Sequence, residues 1–352
     1  MILEKIRDRV INPSVSLIDA MKLMDSLGKK LLFVFSEDVF LGILTIGDIQ
    51  RAIIKGVSLT SSVDLILDKD KIYASVFDTN EQIREKMSRL RSECMPIVDS
   101  SGKIVDVIFW KDWFLKEENI EKPKIDVPVV IMAGGKGTRL KPITNVIPKP
   151  LIPIGDKTIL EDIMDQFEDI GCKQFYMSVN YKSDMMRFYL DQLEHSYNIE
   201  FFEESKPMGT IGSVSLLKGK INTPFFVSNC DIMIDQDYRD VYDYHKANNN
   251  DITIVTAVKS IRIPYGVIEI GKNGLMTGLK EKPEKTYMIN TGVYVLNSEL
   301  INEIPKDTFF HITDLIEKVN NCGGRVGCFP VSEGAWRDMG EWPEYLKMIK
   351  VL

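Results

Sequence analysis

Val127-Pro128-Val129-Val130-Ile131-Met132-Ala133-Gly134-Gly135-Lys136-Gly137-Thr138-Arg139-Leu140 is the stretch on which the fold of this 352-residue chain turns. Its first six residues are a continuous apolar run, the pattern of a central parallel strand buried on both faces. The run passes straight into a glycine-rich turn, and open α/β sheets place phosphate groups at such junctions. Glycines let backbone N–H groups approach phosphate oxygens and leave room for them. Two common phosphate loops fail on detail. A dinucleotide fingerprint needs a third glycine where Leu140 stands, and a P-loop needs Ser or Thr after its lysine, whereas Gly137 follows Lys136.

Length favours two domains, and the composition is globular, with 44% hydrophobic and 27% charged residues. A net charge of −7 argues against general nucleic-acid binding, because no basic stripe is present to neutralise phosphates. The N-terminal residues mix charge with apolar side chains, unlike a signal peptide, and no apolar run approaches the roughly 20 residues that span a bilayer. Five scattered cysteines (Cys94, Cys172, Cys230, Cys322, Cys328) lack paired metal-ligand spacing. A cytoplasmic protein with no membrane partner is expected. His195, His245 and His311 show neither triad nor metal spacing.

Upstream of the loop, one order of patterns occurs twice. The first copy has a helical period over Leu17–Met24, apolar strands at Leu31–Phe35 and Leu41–Leu44, then Thr45-Ile46-Gly47-Asp48 and a helix to Ile54. The second has a helical stretch over Glu81–Met87, strands at Met95–Val98 and Ile104–Ile108, and then Trp110-Lys111-Asp112. This repeat resembles a pair of CBS modules over residues 1–118, with copies at about 1–58 and 59–118. The resemblance implies an adenine nucleotide between the sheets, with Thr45 on phosphate, and Asp48 or Asp112 on ribose hydroxyls. Phe109 stands in the second copy where the first has Thr45. Asp48 and Asp112 each precede a helix and equally suit N-caps. Residues 119–126 belong to a charged, proline-containing linker.

Downstream, Pro148-Lys149-Pro150-Leu151 completes a signature with Gly134–Leu140. Together they resemble the sugar-1-phosphate nucleotidyltransferases, and the likeness extends over residues 127–352. It implies a Rossmann-like, mixed-sheet α/β domain of the GT-A-like kind behind the CBS pair. In that family the nucleotide sits on Ala133, Gly134, Gly135, Gly137 and Thr138, while Arg139 and Lys149 are catalytic cations. Lys149 is expected in an extended stretch held by its flanking prolines. Glu204, Pro207, Gly209 and Thr210 resemble the base-recognition segment. Asp231, at the end of the strand-like run Phe225–Asn229, and Asp338, in Trp336-Arg337-Asp338-Met339-Gly340, match the ligands of Mg²⁺. Tyr265, Gly266, Glu281, Lys282, Asn290 and Thr291 match the sugar-phosphate pocket. Asn180-Tyr181 also resembles a family feature, without an assigned role.

The implied reaction joins a nucleoside triphosphate to a sugar 1-phosphate. The texture of Met132–Pro150 is most similar to guanylyltransferases acting on hexose or heptose 1-phosphates. The domain combination resembles those that use glucosamine 1-phosphate in legionaminic acid biosynthesis. A homo-oligomer is expected. The alternatives are mannose or heptose 1-phosphate as acceptor, or a non-catalytic adenine-nucleotide sensor. A sensor has no need of Arg139, Lys149, Asp231 and Asp338 together.

Overall fold

In a computed structural model the chain forms two compact units, Met1–Lys122 and Pro123–Leu352. The structure describes residues 4–68, 71–90, 94–109, 124–193, 195–204 and 206–351. Trp110, Lys111, Asp112 and most of the expected linker, residues 119–123, lie outside them.

The first unit contains β1 (Val10–Ile11), β2 (Leu31–Ser36), β3 (Val39–Thr45), β4 (Ala74–Ser75), β5 (Cys94–Val98) and β6 (Ile104–Phe109). Among the described residues its α-helices are α1 (Leu17–Leu27), α2 (Ile46–Ile54) and α3 (Asn80–Leu90). The helix α1 starts where Ser16 caps the Asp19 N–H and stops where Gly28 adopts the left-handed φ of 59°. Two three-stranded sheets have the same pairing: β1 parallel to β2 and β2 antiparallel to β3, then β4 parallel to β5 and β5 antiparallel to β6. Phe33, Phe35 and Phe40 of one sheet share a core with Val107 and Phe109 of the other. Each such side chain contributes about 1.5–3 kcal/mol on burial.

The second unit is built on a seven-stranded mixed sheet. Its strands are β7 (Val129–Met132), β10 (Gln174–Val179), β11 (Asn198–Glu203), β12 (Phe225–Asn229), β14 (Ile252–Arg262), β17 (Glu284–Leu296) and β18 (Val326–Ser332). The strands outside it are β8 (Pro153–Ile154), β9 (Lys157–Thr158), β13 (Ile232–Ile234), β15 (Val267–Ile270), β16 (Met276–Lys280) and β19 (Trp336–Asp338). The order is β11-β10-β7-β12-β17-β14-β18, with β11, β10, β7 and β12 mutually parallel and β17 antiparallel to both neighbours.

Val129, Val130 and Ile131 are fully buried because both faces of β7 are covered. On one face, Val129 and Ile131 join Ile159, Ile163 and Phe167 of α4 (Ile159–Asp169). The capping box of Thr158 and Glu161 starts that helix. On the other face, Val130 joins Ile312, Leu315 and Val319 of α7 (Ile312–Asn321). The remaining helices are α5 (Ser183–Leu190), α6 (Tyr238–Ala247) and α8 (Trp342–Val351). Among the described residues no helix is long and apolar enough to cross a membrane.

Candidate active site

Three parallel strands deliver their carboxyl ends to one edge of the sheet. Met132 of β7 is in register with Ser178 of β10 and with Asn229 of β12. Ala133–Gly135, Asn180 and Cys230–Asp231 therefore leave the sheet together, where α/β folds place ligands. The loop is fixed at its base by the Ala133 N–H, which donates to the Ser178 carbonyl at 3.0 Å. Gly137 has a φ of 60°, and a Cβ there would meet Thr144 Cγ2 at 2.9 Å and Lys149 Cβ at 3.0 Å. Only glycine satisfies both demands. Gly135 is different: its missing side chain faces open space, which keeps its backbone approachable. Thr138 and Arg139 are exposed beside it.

Lys149 departs from the extended conformation expected for it. Extension ends at Pro148, and Lys149–Leu151 form a 3₁₀ turn closed by Leu151 N–H donating to the Pro148 carbonyl at 3.0 Å. Pro150 suits a first turn, where its missing N–H would have no partner anyway. The buried Lys149 Nζ donates to Asp231 Oδ2. Immediately beyond Asp231, β13 pairs antiparallel with β19, Ile232 opposite Asp338, and the Met339 N–H donates to the Asp231 carbonyl at 2.8 Å. That short ladder brings the two aspartates together.

Gly340 marks the centre. A Cβ on it would lie 2.6 Å from Asp338 Oδ1, 2.9 Å from Arg139 Nη2 and 3.0 Å from Lys149 Nζ. Its own N–H donates to Asp338 Oδ1 at 2.7 Å. Asp231 Oδ1 and Asp338 Oδ2 have no hydrogen-bond partner among the described residues. Burial, reinforced by the Asp231 charge, pushes the Cys230 thiol up to about 12. Cys230 is thus neutral and no nucleophile at ordinary pH. Among the described residues no group of three His, Cys, Asp or Glu could hold a metal ion.

The Glu204 segment adjoins the glycine loop, with Glu204 and Met208 buried. The Glu204 carboxylate accepts from Ser178 Oγ at 2.9 Å and from the Met208 N–H at 3.3 Å, and lies 3.4 Å from where a Gly134 Cβ would be. Gly209 has a φ of 81° and packs against the Phe310 backbone, whose carbonyl oxygen a Cβ would meet at 2.5 Å. Thr210 Oγ1 accepts from the Ile312 N–H at 2.9 Å, satisfying the start of α7. Pro207 is exposed.

The expected sugar-side residues fall into two groups. Asn290 and Thr291 lie on β17 next to the centre: the following Gly292 packs so closely on Asn229 that a Cβ would meet Asn229 Nδ2 at 2.5 Å. The buried Thr291 hydroxyl donates to the Val255 carbonyl at 2.7 Å, while Asn290 Oδ1 accepts from the Gly292 N–H at 3.1 Å. Tyr265, Gly266, Glu281 and Lys282 form the second group, on an arm where β14 and β17 run out to the β15–β16 hairpin. There Glu281 Oε2 lies 2.9 Å from the Cβ position of Gly266. Tyr265 is exposed, as is Lys282 with its left-handed φ of 43°.

In the first unit Thr45, not Asp48, is the N-cap. The helix α2 begins at Ile46, so Asp48 falls inside its first turn, where it completes a capping box. Asp48 Oδ2 accepts from Lys71 Nζ at 2.5 Å and from both the N–H and hydroxyl of Thr45 at 2.8 Å; Oδ1 accepts from Arg51 Nη2 at 2.5 Å. Burial raises the Asp48 pKa, but Lys71 and Thr45 outweigh it and hold the carboxylate below its ordinary range. Both oxygens are thus engaged within the chain.

Several residues of the site have no signal in the sequence. Glu341 accepts from Arg139 Nη1 at 3.0 Å across 202 positions, and the Trp342 indole donates to the Lys141 carbonyl at 2.9 Å. The buried Thr144 hydroxyl donates to the Gly137 carbonyl at 2.9 Å. Each partnership joins segments that only the finished fold brings together.

A family model described as nucleotidyl transferase matches residues 128–352, and one described as CBS domain matches residues 6–55. The chain is 33% identical over 233 residues to a mannose-1-phosphate guanyltransferase of Saccharomyces cerevisiae, and 35% identical over 230 residues to one of Pichia angusta. Each match covers 62% of this chain and 62% of the relative, so the chain spans under two thirds of their length. Among solved structures, HddC from Yersinia pseudotuberculosis is 27% identical with a TM-score of 0.51, covering 64% of this chain and 99% of that one. HddC complexed with GMP-PN matches at 26% identity and a TM-score of 0.50, with the same coverage.

Proposed function

The chain belongs to the nucleotidyl transferase family, and we propose that it transfers a guanylyl group from GTP to a hexose or heptose 1-phosphate, releasing pyrophosphate. One observation carries the proposal. Asp338 Oδ1, Arg139 Nη2 and Lys149 Nζ lie within 3.0 Å of the same point beside Gly340, and Asp231 is bonded to Lys149. Two carboxylates and two cations at the mouth of a glycine loop suit transfer of a highly charged group.

In the proposed reaction an oxygen of the sugar phosphate bonds to the α-phosphorus of GTP. The bond from that phosphorus to the α–β bridging oxygen breaks, and pyrophosphate leaves with its electron pair. Backbone N–H groups of Gly134, Gly135 and Gly137 cradle the triphosphate. Lys149 moves its charge from Asp231 to the α-phosphate, and Arg139 follows the departing pyrophosphate. Little covalent work is asked of the protein; positioning and charge neutralisation do most of it. The free oxygens on Asp231 and Asp338 suit Mg²⁺, held with triphosphate oxygens rather than in a full protein cage, and the ion would supply further neutralisation there.

Guanine is supported by the names of the Saccharomyces and Pichia relatives and by the GMP-PN in the HddC complex. Those relatives' names make mannose 1-phosphate the first acceptor to test, followed by heptose 1-phosphate. Glucosamine 1-phosphate stays in the panel because the combination of CBS and transferase domains suggested it. The test is pyrophosphate release across five nucleoside triphosphates crossed with these sugar 1-phosphates. Turnover with GTP and one sugar supports the reading; turnover with another base corrects the nucleotide, and none at all overturns it. For the first unit we propose adenine-nucleotide binding near Thr45 and Asp48, with a ribose hydroxyl replacing Arg51 or Lys71. An unchanged melting temperature in millimolar AMP and ATP counts against it.

A further inference from the structure

The contact between Arg139 and Glu341 differs in kind from the other ion pair of the site. Lys149 and Asp231 are buried, with side chains 9% and 12% exposed, whereas Arg139 and Glu341 are both 57% exposed. A solvent-screened pair contributes little to stability and exchanges partners readily. Its position is nevertheless well defined. Glu341 follows Gly340 directly, and its carbonyl accepts from the Tyr345 N–H at 3.1 Å as α8 begins. Trp342 holds the Lys141 carbonyl at 2.9 Å, so consecutive residues grip the phosphate loop at and just beyond Arg139. The guanidinium has Nη1 on Glu341 and Nη2 close to Gly340, at the heart of the site.

We propose that Glu341 is a placeholder anion for Arg139. It holds the guanidinium beside the centre while no phosphate is bound, yields it to the triphosphate, and takes it back as pyrophosphate departs. Glu341 is thus a positioning residue that acts through Arg139. This proposal rests on the nucleotidyl-transfer reading, because it assumes that pyrophosphate is a product. A carboxylate already on Nη1 neutralises part of the guanidinium charge and repels a second anion at Nη2, so it weakens bound pyrophosphate and favours its release. No bond is made or broken; the step is an exchange of hydrogen-bonded ion partners.

The test is calorimetric titration of inorganic pyrophosphate into the full chain, comparing wild type, Glu341→Gln, Glu341→Asp and Arg139→Gln, with the Glu341→Gln/Arg139→Gln pair. Glu341→Gln should bind pyrophosphate about 2–5-fold more tightly, the scale of one screened charge contact. Glu341→Asp should stay near wild type, and the gain should vanish when Arg139 is also replaced. A merely structural role for Glu341 predicts the opposite sign, because a loosened loop binds less well. Equal or weaker binding by Glu341→Gln overturns the placeholder role while leaving the transfer reading standing. Wild-type protein that binds no pyrophosphate overturns both.

Discussion

Lys149 and Asp231 form a buried ion pair across 82 positions of sequence, joining the start of the 3₁₀ turn to the segment just beyond β12. The pair stores both charges next to the point where transfer is proposed, and neither group is solvated well enough to be lost cheaply. Removing one partner strands the other in a dry site, which costs more than the pair itself contributes.

Asp231→Asn should therefore lower stability as well as activity, by on the order of 3 kcal/mol in chemical denaturation. Lys149→Met/Asp231→Asn should recover most of that stability and none of the turnover. An Asp231→Asn protein as stable as wild type contradicts the buried pairing.

Gly340→Ala is a sharper probe of the centre. The three atoms nearest the added methyl are side-chain tips, those of Asp338, Arg139 and Lys149. The fold should absorb it with a small change in Tm, while kcat falls by about 100-fold because the charged groups are displaced. A large loss of Tm with kcat intact contradicts the convergence.

Two loop glycines should behave oppositely. Gly209→Ala puts a methyl 2.5 Å from the Phe310 carbonyl oxygen at a φ of 81°, and should destabilise the protein by about 2 kcal/mol or more. Gly135→Ala meets nothing within 4 Å, so Tm should hold while the KM for the nucleotide rises. Melting curves and steady-state kinetics on the two variants separate the claims.

His245 supplies a pH dependence. Burial holds its pKa below the ordinary value of 6.5, although Asn297 opposes the shift. Nδ1 lies 2.9 Å from Thr253 Oγ1 and Nε2 3.1 Å from Asn297 Oδ1. As pH falls below about 6.5 the unfolded chain takes up a proton that the native imidazole refuses. Stability is thus present above that value and is lost as pH falls toward the depressed native pKa. His245→Gln should flatten that slope in denaturant titrations from pH 7.5 to 5.5; an unchanged slope rules the histidine out.

Local pattern made the scaffold legible and long-range pairing hid the rest. The apolar run at Val129–Ile131 announces a strand covered on both faces, and the period of Leu17–Met24 announces α1, because burial dictates both patterns. Asp231 could be placed at a strand end from Phe225–Asn229 alone. Asp48 lies inside the first turn rather than at the cap, a distinction the sequence does not make because the capping box uses both Thr45 and Asp48. Glu341 carried no mark at all, since exposed glutamates are common and only the β13–β19 ladder brings this one to Arg139. Thr210 and Thr291 show a further limit. Motif order put them in the site, but their hydroxyls satisfy backbone groups of the scaffold.

The most direct test of the central claim is transfer of label from α-phosphate-labelled GTP to sugar 1-phosphate by wild type and Asp338→Asn. Asparagine keeps an oxygen to accept the Gly340 N–H, so the fold should survive while the charge is lost. The account predicts a labelled nucleotide sugar from wild type, a loss on the order of 1,000-fold in the variant, and matching melting curves. Turnover of a well-folded Asp338→Asn within about tenfold of wild type, less than a single pKa-unit's worth of charge stabilisation, would contradict it.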